Sequence, residues 1–169
     1  KDTRALLTIA KNHDMELGIV KSAVDVNEHQ KRIAFEKIRD GLGKLAGKTL
    51  AILGLSFKPN TNDMREAPSI FLIEHLLKAK AKVRAYDPIA MDDAKAIFKS
   101  TISYAKNPYD CMKGADAVVI VTEWNEFRSL ELMKVKVLLK APYFFDLRNI
   151  YEPAKMRKLG FKYSCIGRN

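Results

Sequence analysis

The sequence predicts an α/β fold, a doubly wound and mainly parallel sheet preceded by one long helix. Three observations carry that expectation. Two continuous apolar runs, LAILGL at 50–55 and AVVIV at 117–121, have the length and composition of strands covered on both faces. Strand-like and helix-like segments alternate from residue 49 onward, the pattern of a Rossmann-like sheet. Ahead of them, residues 17–43 run without proline on an apolar repeat of three to four.

In chain order, Lys1 and Asp2 open without an initiator Met, which reads as a fragment, a processed chain or an excised domain. Thr3–Lys11 forms a short helix with Leu6, Leu7 and Ala10 on one face, and His13 and Asp14 break it. In the long helix, Leu17, Val20, Val24, Ile33, Ala34, Ile38 and Leu42 make the main stripe, and Gly41, Gly43 and Gly47 punctuate its end. Ile19, Ala23, Val26 and Phe35 widen that stripe beyond one face. At 1.5 Å per residue the helix spans on the order of 40 Å, more than a small domain needs. It either lies across its own sheet or connects domains or subunits; its length and two-sided apolar face favour the second. The expected division is a helical segment at 1–47 and a Rossmann-like domain at 48–169. Strands are expected at Thr49–Leu55, Lys82–Tyr86, Thr101–Tyr104, Ala117–Val121, Tyr143–Asp146 and Lys162–Cys165. Helices are expected at Pro68–Lys80, Met91–Phe98, Pro108–Lys113, Glu126–Leu138 and Pro153–Leu159.

Composition narrows the function classes. At 169 residues and 47% hydrophobic, the chain has material for one sizeable core and none of the marks of disorder. It holds no apolar run of roughly 18 residues, and KDTRALLTIAK is too charged for a signal peptide, so no membrane association is expected. Cys111 and Cys165 match no metal or CxxC spacing; no metal site is expected, and two isolated thiols fit a reducing cytoplasm. Net charge is +10, with 9 basic against 7 acidic residues in 1–47 and 21 against 13 in the remainder. Such an excess suits nucleic acid, a membrane surface or an anionic small ligand. The basic residues are scattered at helix-surface spacing with no nucleic-acid-binding signature, so nucleic acid is not an expected partner.

In an open parallel sheet the functional residues collect past the carboxyl ends of strands. Those ends read Ser56-Phe57-Lys58, Asp87-Pro88, Thr122-Glu123-Trp124 and Asp146-Leu147-Arg148-Asn149. Lys58 and Arg148 offer a point charge and a bidentate fork, a pairing suited to a diphosphate; the alternative is that they form surface ion pairs with Asp63 or Asp146. The glycine fingerprint G-x-G-x-x-G is absent, since only Gly54 follows the first strand. Asp87 stands where a dinucleotide fold places its ribose-binding acid, or else caps the next helix. Trp124 and Phe127 either stack on a base or pack in the core. His13, His29 and His75 form no catalytic set, and the cysteines read as small packing residues.

At FKPNTNDMREAPS, residues 57–69, the sequence resembles the signature that opens the C-terminal domain of the UDP-glucose/GDP-mannose dehydrogenase family. KDTRAL at 1–6, VDVNEHQK at 24–31, AYDP at 85–88, ADAVVIVTEWNEFR at 115–128 and DLRNIY at 146–151 extend the resemblance over essentially the whole chain. The combination P-N-T-x-D-x-R-E-A-P-S is most similar to the UDP-glucose 6-dehydrogenases within that family.

The resemblance implies a two-step oxidation in which NAD takes a hydride twice and the sugar C6 alcohol becomes a carboxylate, through a covalent intermediate on a cysteine. That cysteine belongs to a G-G-x-C-x-P-K-D motif whose last two residues are Lys1 and Asp2, which places it three residues before Lys1. The glycine-rich NAD loop belongs to the family's N-terminal domain, so the 169 residues alone are expected to show no turnover. By the same resemblance Asp2 positions water or moves a proton, with Lys1 beside it as a further catalytic residue. Phe57 and Lys58 contact the substrate, Arg148 reaches the UDP portion and Arg65 reaches NAD across the cleft. The long helix resembles the family's central helix, which bridges two domains and forms the core of a homodimer. Neither Cys111 nor Cys165 inherits the nucleophile's role. The implied partner is a UDP-sugar. A dehydrogenase acting on a UDP-N-acetylhexosamine or GDP-mannose, and a non-catalytic nucleotide-sugar-binding module, remain as alternatives.

Overall fold

The computed structural model describes residues 2–168. Its centre is a six-stranded sheet, built from β1 (Thr49–Leu53), β2 (Lys82–Tyr86), β3 (Ser103–Tyr104), β4 (Ala117–Ile120), β5 (Tyr143–Asp146) and β6 (Lys162–Cys165). The strand order is β3-β2-β1-β4-β5-β6, every pairing is parallel, and the fold is α/β and Rossmann-like. The register lines up Tyr86, Leu53, Ile120, Asp146 and Cys165 in one row at the carboxyl edge. The chain changes direction across the sheet between β1 and β4, which makes the space beyond their carboxyl ends the topological switch point.

The apolar runs are continuous because both faces are covered. Leu50 and Ile52 of β1 point into one core, with Ile38 of α2 (Gly18–Leu42), Leu72 and Leu76 of α3 (Pro68–Lys78) and Phe98 of α4 (Met91–Phe98). Ala51 and Leu53 point into the other, with Met112 of α5 (Pro108–Met112), Phe127 of α6 (Asn125–Arg128), Val135 of α7 (Leu132–Leu138) and Met156 of α8 (Pro153–Lys158). That alternation is the strand period of two applied to a doubly wound sheet.

Several boundaries differ from the sequence expectation for identifiable reasons. β1 stops at Leu53, because Gly54 turns at φ 91° and the next amide leaves the ladder for a side chain. The helix expected over 126–138 divides into α6 and α7, where buried Leu130 turns inward and the Tyr109 hydroxyl accepts the Glu131 N–H at 3.1 Å. Gly41 lies inside α2 instead of ending it; a Cβ there would stand 2.9 Å from the Phe145 ring, so the glycine lets the helix close on β5. Gly43, at φ 69°, makes the turn, with its N–H on the Arg39 carbonyl at 2.7 Å.

Preceding the sheet, α1 (Asp2–Asn12) packs on α2. Only Ile38 of α2 is fully buried, near the end that meets the sheet, whereas Ile19 at the other end is 89% exposed. Leu6, Ile9, Met15 and Val26 are also exposed, so the apolar surface of this helical segment exceeds what its own chain covers. Among the described residues, no helix is long and apolar enough to cross a membrane.

Candidate functional site

The site begins at the single glycine after β1. Gly54 donates to the Tyr86 carbonyl at 2.9 Å, and a Cβ on it would lie 2.5 Å from Cβ and 2.6 Å from N of Thr122, so the ends of β1 and β4 meet too closely for any side chain. The next two amides point at Asp87. Oδ2 of Asp87 accepts from Leu55 N at 2.7 Å and from Ser56 N, Ser56 Oγ and Trp124 Nε1, each at 3.2 Å. Oδ1 accepts from Ile89 N at 2.9 Å and Ala90 N at 2.8 Å. The carboxylate is 1% exposed. Asp87 is therefore a buried fastener that caps the approach to α4 and ties three strand ends together, and its ribose-binding reading is corrected on that ground. Trp124 and Phe127 are likewise core residues, the first held by Asp87 and the second fully buried.

Beyond Ser56 the chain makes the loop that leads to α3. Phe57 is exposed, its N–H held by the Asp63 carbonyl at 3.0 Å, and Nζ of Lys58 stands 5.2 Å from the centroid of the Phe57 ring. Asp63 takes the Arg65 side chain through Nε at 2.9 Å and Nη2 at 2.6 Å. Glu66, at φ 62°, turns back toward the helices, where Arg4 of α1 bridges Glu66 at 2.9 Å and Glu28 of α2 at 2.5 Å; Lys31 adds a second contact to Glu28 at 2.9 Å. The Lys31 ammonium, with Arg4 beside it, holds the Glu28 carboxyl below its ordinary range. Between α1, α2 and this loop lies a cleft of about 700 Å³ lined by Asp2, Lys31, Phe57, Asp63, Arg65 and Glu66. The structure thus brings Asp2, Phe57 and Arg65 to one cleft; Lys58 and Arg148 do not line it. Lys1 lies outside the described residues.

Arg148 sits past β5 in a loop fastened at both sides. Buried Asp146 accepts from Arg148 N at 3.0 Å, Tyr151 N at 2.9 Å and the Tyr163 hydroxyl at 2.7 Å. Asn149 exchanges two hydrogen bonds with the Ile166 backbone, at 2.9 and 3.1 Å. The guanidinium meets Glu123, at the end of β4, through Nε to Oε2 at 2.5 Å and Nη2 to Oε1 at 2.9 Å. That pair holds the Glu123 carboxyl below its ordinary range. The ion pairs weighed from sequence are thereby corrected in partner: Arg148 takes Glu123 with its side chain and Asp146 with its backbone alone. Sequence reasoning had Glu123 at a strand end without a role, although an acid and a base at the ends of neighbouring strands is the available signal.

Both thiols are internal, whereas His13 and His29 are exposed and His75 is half-buried. Cys111 and Cys165 are buried, and desolvation pushes the Cys111 thiol well above its ordinary range. His75 packs between rings, stacked on Phe71 at 3.9 Å with Nδ1 on the Phe71 carbonyl at 2.8 Å. Among the described residues, no three His, Cys, Asp or Glu side chains gather as a metal site would require.

Residues 51–153 match the profile described as "UDP-glucose/GDP-mannose dehydrogenase family, UDP binding domain". The chain belongs to that dehydrogenase family. The UDP-glucose 6-dehydrogenase of Rhizobium meliloti is 43% identical over 169 residues, covering 99% of this chain and 38% of the relative. UDP-glucose 6-dehydrogenase TuaD of Bacillus subtilis is 41% identical over 168 residues, covering 99% and 36%. The chain therefore spans less than two fifths of the length of these relatives. Among solved structures of the family, a UDP-glucose dehydrogenase from Pyrobaculum islandicum superposes with a TM-score of 0.81 at 29% identity, covering 96% of this chain and 35% of that one.

Proposed function

We propose that this chain is the nucleotide-sugar-binding part of an NAD-dependent UDP-glucose 6-dehydrogenase, which oxidises UDP-glucose to UDP-glucuronate in two hydride transfers. The observation that carries the proposal is the placement of Lys58 and Arg148 past β1 and β5, which flank β4 in the sheet. Two strand spacings of about 4.8 Å put those ends roughly 10 Å apart, and the loops beyond them carry both cations on the carboxyl side of the sheet. Names of the relatives and the family profile support the choice of UDP.

In this reading Lys58 supplies a point charge to the phosphates, Arg148 holds them by its fork, and the exposed Phe57 ring covers the sugar nucleotide. Arg65 extends toward NAD across the cleft it shares with Asp2, and NAD when bound supplies the hydride acceptor. Asp2, with Lys1 beside it, orients water for hydrolysis of the acyl intermediate. Burial of both thiols in this chain supports a nucleophile elsewhere in the whole protein. The division into a helical segment at 1–47 and a UDP-sugar-binding domain at 48–169 belongs to the proposal. So does a cytoplasmic homodimer in which exposed Ile9, Met15, Ile19 and Val26 meet a second copy.

Calorimetric titration of the chain with UDP and GDP tests the assignment. UDP is expected to bind more tightly than GDP. Arg148→Ala and Lys58→Ala are each expected to weaken UDP binding about tenfold or more, the worth of one hydrogen bond to a charged group. Lys95→Ala, which removes a surface lysine paired with Asp92 on α4, is expected to change it less than twofold. Equal losses from all three would reduce the site to general electrostatics, and tighter binding of GDP would overturn the choice of base.

A further inference from the structure

Arg148 offers five N–H donors in a flat fork. Glu123 engages Nε and Nη2, and no other side chain among the described residues takes the rest. Both Nη1 hydrogens and the second Nη2 hydrogen remain, and that edge can itself grip an anion bidentately. The guanidinium side chain is 40% exposed and the glutamate 25%, so the pair lies at the surface with one edge of the fork engaged and the other accessible.

Glu123 itself stands on a fixed base. Its neighbour Thr122 donates Oγ1 to the Ser56 carbonyl at 2.6 Å, and its other neighbour, Trp124, donates to buried Asp87 at 3.2 Å. The backbone of Arg148 is held in turn by Asp146. With both backbones anchored, the bidentate contact sets the plane of the guanidinium. An arginine held this way does not have to give up its rotamer freedom when an anion arrives.

We propose that Glu123 is a positioning residue: it grips the Nε edge of Arg148 so that the Nη1–Nη2 edge is presented to the diphosphate of a nucleotide ligand. The inference rests on the assignment of Arg148 to UDP. Two effects of Glu123 oppose one another, since its charge also offsets that of the arginine. Orientation dominates here, because the pair is exposed enough for solvent to screen the charge term.

A mutant cycle on the 169-residue chain tests this, with UDP binding read by calorimetry and folding by thermal unfolding. Glu123→Gln keeps the shape and one acceptor, and is expected to raise the UDP dissociation constant about 3- to 10-fold, the cost of immobilising one free side chain. In an Arg148→Lys background, where no fork exists to be oriented, the same change is expected to have less than a twofold effect. A purely structural role would give the same loss in both backgrounds and overturn the inference. Tighter binding by Glu123→Gln would make the glutamate a competitor of the ligand, and an unchanged affinity would remove it from the site; both overturn the inference. Repeating the cycle with inorganic pyrophosphate separates the two readings. If the unmutated chain ignores UDP but shows the coupling with pyrophosphate, the nucleotide assignment fails and the positioning role stands.

Discussion

Replacing Asp87 by asparagine probes the fastener under the whole site. The substitution keeps size and shape but exchanges one acceptor oxygen for an NH2 that can only donate. Asp87 is surrounded by donors alone, four on Oδ2 and two on Oδ1. In its better orientation the asparagine keeps its oxygen toward Leu55, Ser56 and Trp124 and turns its NH2 at Ile89 N and Ala90 N, so one buried amide (Ala90) and one part-buried amide (Ile89) lose their acceptor. At about 1.5–3 kcal/mol for each hydrogen bond to a charged group, the expected destabilisation is about 3–6 kcal/mol. Against a total of about 5–15 kcal/mol, that is a large fraction of the fold's stability. For a chain of this length each kcal/mol moves the melting temperature by roughly 2–4 °C. Urea unfolding at neutral pH, with an unchanged slope on denaturant, and a scanning melt together measure the effect. A loss below about 1 kcal/mol would mean that the network relaxes around the amide, and would refute the reading of Asp87 as the element that holds three strand ends together.

Two further outcomes follow from the geometry. Gly54→Ala must place a methyl group against the Thr122 backbone at φ 91°, with an expected cost of about 2–5 kcal/mol. Gly47→Ala, at φ 80° with nothing within 4 Å, should cost about 1–2 kcal/mol, and equal losses in urea unfolding would refute the close approach of β1 and β4. The lowered carboxyls of Glu28, Asp92, Asp116 and Glu123 contribute to the acid limb. A group whose folded value is depressed contributes stability above the unfolded glutamate range near 4.3, and that contribution is lost as pH falls through the folded value. Stability is therefore expected to drop below about pH 4, and Glu28→Gln should flatten that drop; an identical slope in the variant would remove the Arg4–Glu28–Lys31 cluster as a contributor.

What the sequence made legible was local. Strands at 82–86, 143–146 and 162–165 stand at the positions their patterns predict, each with a Gly, Pro or charged residue within two positions of either end. The strand ends and their candidate residues were equally readable. Which ends lie side by side depends on strand order, and no local pattern encodes it. Glu123 and Arg148 are 25 residues apart and meet only because β4 pairs with β5. Asp87 was readable as a helix cap from its own neighbourhood, but its donors at Leu55, Ser56 and Trp124 come from two other strands. The split within 126–138 was hidden because Leu130 continues the apolar pattern while its side chain turns into the core.

The missing glycine fingerprint and the burial of Asp87 express one physical fact. In a dinucleotide-binding sheet the amides after the first strand face a pyrophosphate, and glycines let it approach. Here the amides of Leu55 and Ser56 already face a carboxylate, which satisfies them internally and repels any second anion at that spot. Bulky residues are then tolerated in the turn, because nothing needs to come close to the backbone. An anionic ligand at the switch point has to draw its countercharge from side chains that project past the strand ends, where Lys58 and Arg148 stand. On the proposed assignment of Lys58 and Arg148, the sheet keeps the Rossmann strand order while the charge that would hold a nucleotide moves outward, from backbone amides to two cations and the glutamate that holds one of them.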